Sequence, residues 1–547
     1  MEPDNGYSQQ SLLGVRRLRC NKAHLAYGSI AENAYNRPLY RRVQQGASTG
    51  NAHAMARACL PYMSRIIAEN TLKRLALPLL ICVCLSARAG LDLSLPDIGD
   101  PASQVMTPTE EQQIGQQMMG EVRRQLPLGN DPEINAYIQD LGARLASHGD
   151  APDYSYHFFI VDSPQINAFA MPGGYIGINT GLIQATRTES ELGAVLAHEI
   201  AHVTQRHLAR QLLRDRGSGW RTAALILAGI LIGTQSPQAG SAATMSAMAG
   251  MIQQQLTYSR ADESEADRVG MQTLVKAHFD PEGMPRFFGR LLQASRYRDE
   301  PPAFLSTHPL TERRIADAQA RVRQLASGKV FESPKYDLMR ARLEVLNARL
   351  PEDAVNEFQA QLERSSAKPW AAQYGLALAL QHTGEYARAR TILLRLLRTH
   401  GEYAPYFVGL AEVSRAAKQP EQALTAVREG LSLFPDDYAL RVLHVETLLD
   451  EGHAQQAQRI ATTVVSDHPE DANLWQLVAR AADSAGQQVQ AQLAMGHYYY
   501  LRGDIPSALE QIKHVLESSK ADEYQKSRAT ALRAQWQAVL KQRSKDR

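Results

Sequence analysis

The chain has 547 residues, 44% hydrophobic and 21% charged, which leaves room for about three or four domains with cores of ordinary size. Its formal net charge of +2 hides an asymmetry: residues 1–89 carry 12 Lys+Arg against 4 Asp+Glu, leaving 47 basic and 53 acidic side chains beyond them. An acidic remainder argues against nucleic acid as a partner. All four cysteines (Cys20, Cys59, Cys82 and Cys84) precede residue 90, so nothing after it can form a disulfide or a thiolate metal site.

Residues 1–62 lack sustained periodicity and read as a disordered extension, or as sequence ahead of a true start at Met55 or Met63. Residues 63–89 have the make-up of a secretory signal peptide. Arg65, Lys73 and Arg74 form the charged lead, residues 75–85 the apolar core, and Ala87-Arg88-Ala89 the small residues that a signal peptidase reads. That core is too short to span a bilayer, which needs about 20 residues; an N-terminal membrane anchor is the competing reading. Helical patterns follow at 110–125 and 132–148, then a strand candidate at 154–161. Residues 166–178 read as a β-hairpin turning at Gly173-Gly174. Such a hairpin offers an edge strand to an extended peptide, or is simply part of a sheet.

His198-Glu199-Ile200-Ala201-His202 carries the chemistry. On a helix the two histidines lie one turn apart on one face, so both imidazoles reach a single metal ion. Glu199 points away from them by about a quarter-turn, placed to take a proton from water without ligating the metal. Zinc lowers the pKa of its bound water to about 7, so a carboxylate can act as base at neutral pH. A surface helix holding two histidines by chance is the bland alternative, and a third ligand decides between them.

Residues 223–232 are apolar and are followed by a Gly, Ser, Ala and Met-rich stretch to 251, read as a lid near the site or as a buried helix. Residues 259–267, SRADESEAD, then open a second helix on which Glu263 and Asp267 share a face. A carboxylate from this helix completes a His₂Glu site with one position open. Asp267 is placed to bond a ligand imidazole or to carry a proton to the leaving amine. A solvated acidic face is the alternative.

HEIAH followed by SR-x-x-E-x-x-AD resembles the HExxH metallopeptidases that include the prenyl-protein endopeptidases and the HtpX heat-shock proteases. Motif position in that family implies His198, His202 and Glu263 as ligands of one Zn²⁺ per chain and Glu199 as general base. It puts Asp267 at the family's proton-donor position. Glu265 is the rival third ligand if the register shifts by two. Relatives often carry transmembrane helices beside the zinc motif; their absence here points to the soluble, secreted branch. Ser306-Thr307-His308-Pro309-Leu310, with Arg313 and Arg314 after it, also matches that branch. The resemblance implies that His308 occupies the fourth zinc position and switches the enzyme off. From the residues alone, this segment is a helix cap.

The second half repeats. Gly384…Ala389, Lys418…Ala423, Gly452…Ala457 and Gly486…Ala491 share one offset, with successive alanines 34 residues apart. That is the tetratricopeptide period, one antiparallel helix pair per unit. Ala354 fits an earlier unit, and Gly503…Ala508 falls half a repeat out of phase. Stacked units make a concave surface for protein partners.

The expected fold class is α+β, mainly helical. A zincin-like metallopeptidase domain with a small sheet, residues 90–330, precedes an all-α tetratricopeptide solenoid, residues 335–545. The expected activity is that of an exported zinc metalloendopeptidase. The resemblance implies the periplasm of a Gram-negative bacterium and unfolded or stalled outer-membrane β-barrel proteins as substrates. It implies docking of the repeats on the β-barrel assembly machinery, and allows peripheral membrane association. A repeat-based chaperone or assembly adaptor with a latent zinc site is the alternative.

Overall fold

The computed structural model describes residues 107–151, 154–214, 258–296, 302–325, 328–364 and 368–545. The expected signal peptide, the segment ahead of it and residues 223–251 lie outside them.

Helix α1 (Pro108–Gln125) opens on a capping box in which Thr107 and Glu110 satisfy each other's backbone. Helix α2 (Pro132–Ala146) starts at Asp131, whose side chain accepts from the Ile134 N–H. Three strands follow: β1 (His157–Val161), β2 (Ala168–Ala170) and β3 (Tyr175–Asn179), in the order β1-β3-β2. β2 and β3 form the expected hairpin, antiparallel with Ala168 opposite Ile178, and the chain reverses through Pro172–Gly174. β1 runs parallel to β3 on its other side. Central β3 is buried along its whole length, which suits its run of apolar and small residues. β2 is left at the sheet edge.

After α3 (Thr180–Ala185) comes α4 (Glu189–Thr204), the metal-motif helix. Every residue from Glu189 to His202 is buried, so α4 is a central helix and the surface-helix alternative fails. The peptidase part continues with α5 (His207–Arg214), α6 (Arg260–Lys276), α7 (Gly283–Arg296), α8 (Phe304–Thr307) and α9 (Glu312–Gln324).

Among the described residues, six helix pairs follow: α10 (Pro334–Leu346) with α11 (Pro351–Glu363), α12 (Pro369–His382) with α13 (Tyr386–Thr399), and α14 (Ala404–Ala416) with α15 (Pro420–Leu433). Then come α16 (Tyr438–Asp450) with α17 (Ala454–Asp467), α18 (Ala472–Ser484) with α19 (Gln488–Leu501), and α20 (Ile505–Glu517) with α21 (Glu523–Lys545). Ala354, Ala389, Ala423, Ala457 and Ala491 all lie on the second helix of a pair and are buried. Ala508 lies on the first helix of the last pair, which explains its half-repeat offset. Among the described residues, no helix is long and apolar enough to cross a membrane.

The peptidase part and the first repeats share one hydrophobic core, running from Ile134 through Leu196 and Phe288 to Tyr374 and Leu443. Where α2 meets the repeats, Arg342 reaches Asp131 (2.8 Å), Glu133 (3.0 Å) and Glu412 (2.6 Å). Further along, Arg123 of α1 donates to the Leu501 carbonyl. The repeats are therefore built onto the peptidase rather than tethered to it.

Candidate active site

Helix α4 begins at Thr188, whose hydroxyl accepts from the Glu191 N–H, with Glu189 and Glu191 at its positive end. Helix α6 begins likewise at Ser259, capping Asp262. The two helices pack closely because Gly270 has no side chain: a Cβ there would stand 3.0 Å from the backbone of Ala197 and His198. That approach brings Glu263 and Asp267 onto the face carrying His198 and His202.

The facing atoms converge. His198 Nε2 lies 3.1 Å from His202 Nε2, 3.4 Å from His308 Nδ1 and 3.6 Å from Glu263 Oε2. Glu263 Oε1 lies 3.4 Å from His202 Nε2 and 2.9 Å from His308 Nδ1. Ligand atoms of a tetrahedral ion bound at about 2.0–2.1 Å are separated by about 3.4 Å. His198, His202, Glu263 and His308 offer atoms all within 4.8 Å of one another, and all four residues are buried. The donor set fits a single metal ion.

Around this quartet stand residues that hold it. Asp267 Oδ1 is 3.0 Å from His198 Nδ1, and Arg314 grips the same carboxylate with two N–H groups at 2.7 and 2.8 Å. Arg314 Nη1 also reaches Glu263 Oε2 at 2.5 Å. His308 closes α8, its N–H bonded to the Phe304 carbonyl; the Phe304 N–H in turn bonds Ile166 at the foot of the hairpin. His308 is thus a helix C-cap and also a member of the cluster. The Tyr258 ring covers His202 and His308, with centroids 3.9 and 5.3 Å away.

Burial pushes the Glu199 carboxyl up, against the pull of His308 and His198, so it favours holding a proton. Burial would raise Glu263 too, but the neighbouring His308, His202 and His198 imidazoles hold it well below the usual range. Burial drives His202 well down, which keeps its imidazole neutral. In Asp267, burial is outweighed by the bonds from His198 and Arg314, and the carboxyl is lowered.

The fold brings together Glu199, Asp267 and the quartet. Glu265 it does not: that side chain turns to Arg210 (2.7 Å) and His207 (3.2 Å), away from the cluster, so the shifted-register alternative has no geometry behind it. Sequence reasoning missed His207 and Tyr258, and gave Arg314 no role. An unexplained histidine five residues after His202 was the available signal.

A buried HExxH helix faced by a carboxylate from a second helix defines a metallopeptidase centre. Residues 132–322 match the model of peptidase family M48, and residues 414–481 a tetratricopeptide repeat model. The chain is 33% identical over 473 residues to the beta-barrel assembly-enhancing protease of Escherichia coli (strain K12), covering 86% of this chain and 96% of that protein. A Vibrio cholerae (serotype O1) protein of the same type is 35% identical over 439 residues, 79% of this chain and 90% of its own length. The mitochondrial metalloendopeptidase OMA1 of Schizosaccharomyces pombe is 28% identical over 179 residues, 33% of this chain and 50% of its own. The chain belongs to the family of beta-barrel assembly-enhancing proteases.

Proposed function

We propose that this chain is a zinc metalloendopeptidase, exported to the periplasm of a Gram-negative bacterium, that degrades misassembled or stalled outer-membrane β-barrel proteins and assists their assembly. In this reading His198, His202 and Glu263 hold one zinc ion, Glu199 is the general base and His308 restrains the resting site. The repeats dock on the assembly machinery or on the stalled substrate. The observation that carries the reading is the convergence of four buried side chains from α4, α6 and the end of α8 on one point.

Bound zinc supplies Lewis-acid polarisation of a scissile carbonyl and lowers the pKa of water. Glu199 takes the proton: both its carboxylate oxygens are buried without a well-formed hydrogen bond, and burial raises its basicity. The leaving amine receives that proton back from Glu199. Asp267, tied to His198 and Arg314 and lowered in pKa, acts as a positioning residue; of its two candidate roles, imidazole bonding is the one its contacts support. An extended substrate pairs with the outer edge of β2, beside α4.

His308 lies between the base and the third ligand, with Nε2 3.5 Å from Glu199 and Nδ1 2.9 Å from Glu263. Water and substrate need that space, so displacement of His308 precedes cleavage. The same contact favours a second reading, an assembly adaptor with a latent site.

The test is zinc content and cleavage of an unfolded outer-membrane β-barrel protein by wild type, Glu199→Gln and His308→Ala. One zinc in each is expected, with a loss of about 10²–10⁴-fold in Glu199→Gln and a gain in His308→Ala. Zinc without cleavage in all three supports the adaptor instead. Absence of zinc removes the ligand assignment.

A further inference from the structure

We propose that His207 and Glu265 are positioning residues which fix the ring tautomer of His202, keeping its Nε2 lone pair aimed at the metal position. The inference rests on the reading of His202 as a ligand and goes beyond it.

His207 is fully buried at the start of α5, just after Arg206 turns the chain at φ 51°. Its Nδ1 lies 2.8 Å from His202 Nδ1, and its Nε2 lies 3.2 Å from Glu265 Oε2. Arg210 holds that same carboxylate oxygen at 2.7 Å.

Proton bookkeeping permits only one arrangement. His202 can present a lone pair at Nε2 only if its hydrogen is on Nδ1. That hydrogen needs an acceptor, so His207 Nδ1 must be bare and His207 must carry its own hydrogen on Nε2. Ionised Glu265 accepts and never donates, so it selects that tautomer, and the Arg210 cation keeps it ionised. Reversed, His207 would turn an N–H toward His202. The imidazole of His202 would then have to carry its hydrogen on Nε2, which leaves no lone pair for a metal. Both ligand imidazoles are thus backed by an outer carboxylate, His198 directly by Asp267 and His202 through one intervening ring. Helix α6 supplies all three acids, with Glu263 inside and Glu265 and Asp267 behind.

The experiment is a zinc competition titration against a chromogenic chelator on the full chain, which reads metal affinity independently of proteolysis. His207→Ala and Glu265→Ala are expected to weaken zinc binding about 10–100-fold. His207→Asn places an acceptor oxygen near the Nδ1 position and Glu265→Gln keeps an acceptor, so both recover most of the loss. Should His207→Ala fail to fold, Glu265→Ala decides, since that side chain is 30% exposed and its removal opens no core. Wild-type affinity in the alanine variants, or equal losses in His207→Ala and His207→Asn, overturns the inference while leaving the site reading intact. Undiminished zinc binding in a His202→Ala control overturns the site reading, and this inference with it.

Discussion

Two clusters of buried charge sit about α2 and α4, and they are built on opposite principles. At the seam, Arg342 serves Asp131, Glu133 and Glu412, and the Tyr374 hydroxyl donates to Glu133. None of these side chains keeps a buried nitrogen or oxygen without a partner. In the site, both oxygens of Glu199 are buried without a well-formed hydrogen bond, and imidazole nitrogens face one another at 3.1 and 3.4 Å. Burying polar groups unsatisfied costs free energy. A fold tolerates it where a ligand will supply the missing partner. The saturated cluster joins two parts of the chain; the unsaturated one is kept for chemistry.

The largest effect that separates them is on stability. Removing Arg342 takes the cation from partly buried Asp131 and Glu412 and a hydrogen-bond donor from fully buried Glu133, so Arg342→Met is expected to lower stability by about 3–5 kcal/mol in denaturant unfolding. Glu199→Gln removes a buried carboxyl that burial disfavours in its ionised form, and should leave the metal-free chain as stable as wild type or more so, while proteolysis is lost. Equal stability of Arg342→Met and wild type would mean that packing alone holds the seam.

A smaller effect is the pH dependence of the seam. Burial, countered in part by Arg342, pushes Glu133 from the ordinary 4.5 up to about 8. The folded chain therefore holds this proton more tightly than the unfolded one. The stability it contributes is complete below about pH 4.5 and is lost as pH rises through about 8. Glu133→Gln mimics the protonated form at every pH, so it should match wild type near pH 5 and exceed it near pH 9 by on the order of 3 kcal/mol. Denaturation midpoints at both ends check this, and parallel profiles for the two proteins would sink it.

Most of the site's first layer was legible because helical spacing is a local property. His198 with His202, and Glu263 with Asp267, are each four residues apart, and four residues is one turn. The hairpin was legible from its glycines. What surrounds the site was not. Arg314 reaches Asp267 across 47 positions and His308 reaches His198 across 110, and no periodicity links such pairs. His308 was found through family resemblance alone. The chain of contacts from Glu265 through His207 to His202 was hidden for another reason: motif spacing says which residues share a face, whereas the direction of a hydrogen bond depends on ring orientation.

Within the repeats the same spacing exposes one irregular unit. Gly384, Gly452 and Gly486 stand between paired helices at φ 82°, 75° and 74°, and Lys418 takes the equivalent place at φ 57°. In all four units the next N–H bonds back to the first helix: Glu385 to Leu380, Gln419 to Ser414, His453 to Leu448 and Gln487 to Ala482, at 2.8–2.9 Å. This is the helix-ending motif that wants a left-handed residue, and a side chain with a Cβ is strained there. Nothing lies within 4 Å of a Cβ built at the three glycines, so the strain is in the backbone and not in packing. Lys418→Gly is therefore expected to stabilise the chain by about 1 kcal/mol, and Gly452→Ala to cost about as much. Loss of stability in Lys418→Gly would show that the lysine side chain holds something its neighbours' glycines do not, and that unit would then be distinguished by a contact rather than tolerated as a flaw.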